Sequence, residues 1–378
     1  MFKYLLPVAA ALSLTACSGL FDKDNTPAPS PLVVFKTEVN PTQLWSVKAG
    51  DGSNSENLKM QPAMNHSAVF VSSANGYVTS INKSSGQRNW QVNTKLPLTS
   101  GPGVGDGVVV VGSRNGNIIA LSETNGTQAW KSSVQGEIIA NPVVNDGTVL
   151  IKDITGHVVG LSTNDGHRVW SVDQVEPGLI LRGSSSPAVS GNSAFVGFAN
   201  GNLLKLGMNN GQTYWIREMA TPEGAFTIQR MIDIDADPVI YDHRIFAATY
   251  QGRISSLEWT TGSVNWTHDI SSYTGMAADD NHIFISDAKG YLWSFNADSG
   301  VVNWRQTKLA ARVLSGPATI GNYVVVGDAE GYLHWLNKTD GHFAGRVSAG
   351  SGISASPLVE NRVLYALTKN GYLVAYKL

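Results

Sequence analysis

The chain has 378 residues, of which 42% are hydrophobic and 15% charged, with 39 glycines and a formal net charge of −2. That is ample for a large core, and the low charge with abundant glycine favours a turn-rich β protein over a helical one. The near-neutral balance gives no reason to expect nucleic acid or a generally basic membrane-binding face.

In chain order the first feature is a processing signal. In MFKYLLPVAAALSLTAC, Lys3 is a short positive region and Leu5 to Leu14 an apolar one, too short for a spanning helix of about 20 residues. Leu14-Thr15-Ala16-Cys17 resembles the bacterial lipobox, which implies cleavage after residue 16 and lipidation of Cys17. Ser18 in place of aspartate implies, by the same resemblance, sorting to the outer membrane. Cys17 is the only cysteine, so an intrachain disulfide, a thiol nucleophile and a Cys-ligated metal are excluded. Residues 17–40 include prolines alternating with small residues and are expected to be a flexible, semi-extended tether.

From residue 41 to 378 one unit repeats. NGYVTSINKSSGQRNW (75–90), NGNIIALSETNGTQAW (115–130) and four further stretches ending on Trp170, Trp215, Trp266 and Trp304 share a Gly…Gly…Trp register. A seventh copy has Gly345 where Trp is expected, and an eighth stops at Leu378 before its last strand. The first glycines fall at Gly76, Gly116, Gly156, Gly201, Gly252, Gly290, Gly331 and Gly371, giving intervals of 40, 40, 45, 51, 38, 41 and 40. A period near 40 with several short strands per unit predicts a β-propeller. Val108 to Val111 read as a buried inner strand, and Asn115-Gly116 and Asp146-Gly147 as hairpin turns. The expected fold is all-β, with eight four-stranded blades. Thr42 to Val47, carrying Trp45, would close the ring by supplying the strand that the last blade lacks. The repeated tryptophans are expected between blades rather than in a ligand cage.

The two longest intervals mark extra length between Trp170 and Pro187 and between Trp215 and Pro238. Residues that exceed a blade must emerge as loops, at one end of neighbouring blades. The first loop holds Leu179, Ile180, Leu181 and Arg182; the second holds Asp233, Asp235 and Asp237. If extended, Leu179 and Leu181 share a face and the three aspartates share another. An exposed aliphatic pair beside Arg182 and a carboxylate row would suit a protein partner. The alternative is a longer connection tucked into the blades, with Arg182 ordering the aspartates.

The Gly…Gly…Trp unit resembles the pyrroloquinoline-quinone-type propeller repeat over about residues 41–378. Quinoprotein dehydrogenases of that superfamily resemble one another in a vicinal cysteine pair, which this chain lacks. The eight histidines show no HExxH spacing, and Pro238 stands where a calcium loop starting at Asp233 needs glycine. No cofactor or metal is therefore expected. The lipobox, the tether, the ring-closing strand and EGYLHWLNKTDG (330–341) together resemble the BamB family of outer-membrane assembly lipoproteins. That resemblance implies a non-catalytic scaffold, lipid-anchored on the periplasmic face of the outer membrane. Its partners would be the periplasmic POTRA domains of BamA, other subunits of the barrel-assembly complex and unfolded outer-membrane clients, without nucleic acid. It also implies that Leu179, Leu181, Arg182, Asp233 and Asp235 form the docking loops. The competing expectations are a carbohydrate- or peptidoglycan-binding lipoprotein with solvent-facing aromatics and a quinone-dependent dehydrogenase.

Overall fold

The computed structural model describes residues 26–53, 56, 58–182 and 185–378. The signal segment and Cys17 lie outside the described residues. Eight four-stranded antiparallel sheets follow one another in sequence and form the blades. Blades 1 to 7 span 63–93, 103–133, 143–173, 188–218, 239–270, 276–306 and 318–348. Blade 8 combines 358–377 with the strand Thr42–Lys48, which pairs antiparallel with Tyr372–Lys377. At six of the eight seams the first strands of neighbouring blades contact each other, so blade order round the ring follows the chain.

Within a blade the sequence dictates depth. The second strand, such as Val108–Gly112, is buried along its whole length, which suits an uninterrupted β-branched run. The fourth, such as Gln128–Ser133, alternates exposed residues with its buried tryptophan. Asp146 and Gly147 both take positive φ, 46° and 80°, as a two-residue hairpin turn requires.

The two invariant marks of the repeat turn out to be one device acting across blades. Each tryptophan indole N–H donates to a carbonyl of the following blade: Trp130 to Thr163, Trp170 to Met208 and Trp304 to Lys338, for example. The second glycine of that following blade lies against the same ring. A Cβ on Gly211 would sit 2.5 Å from Cε3 of Trp170, and one on Gly166 would sit 2.4 Å from Cε3 of Trp130. The pairing runs from Trp45 over Gly86 to Trp304 over Gly341. Seven of the eight seams thus enclose a large ring and satisfy its donor.

The exception at Gly345 follows from ring closure. Blade 8 has no second glycine to seat a tryptophan, and the N-terminal segment occupies the space. A Cβ on Gly345 would meet the Val39 carbonyl at 2.6 Å. Glu38 and Val39 donate backbone N–H groups to Ala344, Phe35 stacks on Phe343, and Arg346 lies over Phe35. Arg312, 2% exposed, holds the Ser30 carbonyl at 2.8 Å while pairing with Asp328 at 2.7 Å and with Glu330. The flexible tether expected to reach residue 40 is therefore replaced from Ser30 to Val39 by a seated strap. Its apolar residues Val33, Phe35 and Val39 find the groove that blade 7 leaves open.

Candidate functional site

The connections between blades all emerge at one end of the ring, together with the turns that carry the repeat's first glycines. The two long connections, 174–187 and 219–238, lie side by side there. Residues 231–237 run as alternating aspartate and apolar residues, and each set has its own contact surface. Ile232 and Ile234 pack onto blade 4, where a Cβ on Gly201 or Gly197 would meet them at 2.5 and 2.4 Å. Asp233 and Asp237 point the other way and grip the neighbouring loop. Asp233 Oδ2 accepts the Leu181 N–H at 2.7 Å, and Asp237 Oδ1 accepts the Ser186 N–H at 2.6 Å. The two long loops are thus brought together as the sequence implied, but the carboxylate row is not a surface rim. Asp233 is 0% exposed and Asp235 4%. They lie behind the Leu181 segment, because the isoleucines between them are needed to cover blade 4.

Burial governs the electrostatics. Asp233 is pushed up to about 7, first by desolvation and then by the charge of Asp235, against the pull of the Leu181 N–H. Desolvation pushes Asp235 up to about 6, opposed by Lys59 and Lys152. Asp237 and Glu176 are also raised by burial, and the buried Lys152 ammonium is held below its usual range. The Oδ1 atom of Asp233 has no hydrogen-bond partner among the described residues. Among the described residues no group of three or more His, Asp or Glu converges as metal ligands.

In front of the buried acids, Leu179 is 44% exposed and Leu181 half-buried. Arg182 is exposed and does not order the aspartates. Its guanidinium forks onto Glu137, Nε to Oε2 at 3.2 Å and Nη2 to Oε1 at 2.6 Å, and lies 3.6 Å from Glu56. Arg114 shares both acids, so the cluster is charge-balanced and ties connection 174–187 to its neighbour. Sequence reasoning missed the other exposed apolar groups at this end. Phe226 and Ile228, 68% and 65% exposed, flank the start of a short 3-10 turn, Thr227–Arg230, and Val313 is 51% exposed. The first two lay within the longest interval, whose length was the available signal. Val313 lies in an interval of ordinary length and gave none.

The architecture agrees with comparisons to known proteins. The sequence profile described as outer membrane protein assembly factor BamB matches residues 74–306 and 294–377. The assembly factor BamB of Alkalilimnicola ehrlichii is 44% identical over 375 residues, covering 99% of this chain and 96% of that protein. BamB of Legionella pneumophila is 42% identical over 355 residues, covering 94% and 92%. The crystal structure of BamB from Moraxella catarrhalis superposes with a TM-score of 0.83 at 27% identity, covering 90% of this chain and all of that one. With this fold, this repeat and these matches along nearly its whole length, the chain belongs to the BamB family of outer membrane protein assembly factors.

Proposed function

We propose that the protein is a non-catalytic scaffold of the outer-membrane β-barrel assembly machinery, anchored through Cys17 on the periplasmic face of the outer membrane. It docks on the periplasmic POTRA domains of BamA through the connection 174–187. The observation that carries this reading is an exposed aliphatic–arginine surface fixed from behind. Leu179, Leu181 and Arg182 face outward, while Asp233 and Asp237 clamp the backbone at Leu181 and Ser186. A loop held in one shape loses little entropy on binding. Asp233 and Asp235 belong to the docking site as supports rather than as contacts. Arg182 can exchange its fork on Glu137 for a partner carboxylate without leaving a buried charge, because Arg114 remains with Glu137 and Glu56. The full-length relatives are named as assembly factors, which supports this reading over a quinone-dependent enzyme. The burial of the repeat tryptophans between blades gives a carbohydrate platform no support.

The test is affinity capture from detergent-solubilised envelopes, with wild type beside Leu181→Asp and Arg182→Glu, and circular dichroism to confirm folding. BamA recovered by wild type and lost from the folded variants is the expected outcome. Retention by both variants would move the contact elsewhere.

A further inference from the structure

At the same end, the ring axis opens into a funnel of about 460 Å³. Leu181 and Arg182 form one wall; Val313, Leu314 and Ile353 form the opposite one; Tyr250 and Tyr273 stand between them. Below the funnel the space shrinks to about 40 Å³ where Gly275 and Gly316 meet, close enough that a Cβ on Gly316 would lie 2.9 Å from the Gly275 Cα. An occupant that enters by the mouth meets this constriction, which suits a single side chain.

Two features set the wall apart from ordinary loop surface. Val313 has φ 51°, a left-handed conformation that a β-branched residue adopts only under constraint. The constraint is visible. Arg312, locked onto Asp328, Glu330 and the Ser30 carbonyl, turns its back on the funnel and leaves Val313 projecting at the rim. The second feature is charge. Arg182 is balanced within its cluster with Arg114, Glu56 and Glu137, and Lys59 faces Asp235. Lys369, at the rim, forms no ion pair among the described residues.

We propose that the funnel receives an apolar side chain of the protein docked on Leu179–Arg182, seated between Leu181 and Val313, with an adjacent carboxylate of that partner paired to Lys369. The inference rests on the docking reading above and adds the chemistry of the recognised segment: an aliphatic or aromatic residue beside Asp or Glu. Continuity argues for one partner rather than two, since Leu181 and Arg182 belong to both surfaces. The uncompensated lysine sets the sign of the charge it meets.

The experiment measures binding of the full chain to the purified periplasmic region of BamA by calorimetry, at two salt concentrations. Wild type is compared with Leu181→Asp, Val313→Asp, Val313→Gly, Lys369→Ala and Lys369→Glu. Val313→Asp and Lys369→Glu should each weaken binding about tenfold or more, as loss of a buried anchor does. Lys369→Ala should flatten the salt dependence. Val313→Gly is the critical variant. Glycine accepts a φ of 51° without strain, so the variant should melt no lower than wild type and still bind more weakly. Wild-type affinity in the Val313 and Lys369 variants, with binding lost in Leu181→Asp, would overturn the funnel and leave the docking loop standing. Absence of binding by wild type would sink the docking reading, and the funnel with it.

Discussion

Asp233→Asn should change how stability depends on pH more than it changes stability itself. The carboxyl of Asp233 is fully buried, accepts one N–H from Leu181, and is pushed up to about 7 from the usual 3.8. In the unfolded chain it ionises above pH 3.8. Between about pH 4 and 7 the folded state therefore binds the extra proton, and stability falls as pH rises through that window. Each unit is worth about 1.4 kcal/mol, so the interval amounts to about 4 kcal/mol. Asparagine keeps an acceptor for the Leu181 N–H and cannot ionise, so the variant lacks this slope. The assay is urea unfolding of wild type and variant at steps from pH 4.5 to 8, read as the midpoint at constant m-value. The two curves should converge or cross at low pH, with the variant relatively more stable at pH 8. Parallel curves across the range would refute the reasoning, since they would mean that Asp233 is ionised in the fold. Amide exchange at Leu181 gives the local version, because its protection should fall with rising pH more steeply in wild type than base catalysis alone accounts for.

Three further outcomes test the frame around the site. Gly211→Ala puts a methyl 2.5 Å from the Trp170 ring at a φ of 67°, and should cost about 1–3 kcal/mol in urea unfolding. Arg312→Met leaves buried Asp328 without its main cation and should cost about 3–5 kcal/mol, part of which Asp328→Asn in the same chain should restore. Deleting residues 34–47 removes most of the strap and all but Lys48 of the strand on Tyr372–Lys377, and should replace the single thermal transition with oligomers in size-exclusion chromatography. A monomer melting like wild type would refute the role assigned to that strand.

The ring was legible because each blade solves the same packing problem with the same residues, so register survived comparison of the repeats. The link between one repeat's tryptophan and the next repeat's glycine was not legible, since spacing along the chain does not say which elements touch. That link explains Gly345: blade 8 lacks the glycine hairpin that would receive a tryptophan, and Val39 takes the place. The strap was hidden by its prolines, although Val33, Phe35 and Val39 supplied an apolar alternation that an unstructured tether does not need. The aspartate row was read correctly as adjacent to Leu181 and incorrectly as a rim. Ile234 stands over Gly197 as Ile138 stands over Gly112 and Ile353 over Gly327, so the segment is a blade-capping position with acids inserted. Aligning the connections as well as the strands would have placed Asp233 inward.

The strap also bears on how a scaffold of this shape would sit under a membrane. Ser30 donates to Ala310 and its carbonyl accepts from Arg312, both in the connection between blades 6 and 7. The chain therefore joins the ring at the same end as Leu179–Arg182, but across the axis from it. If Cys17 is the anchored residue, as proposed above, the thirteen steps to Ser30 reach at most about 45 Å. Arg312 thus serves two constraints at once: it seats the strap, and it forces Val313 into the funnel wall. Replacing it should lower stability and loosen the seat of the strap together, whereas a change confined to Val313 should leave that seat intact.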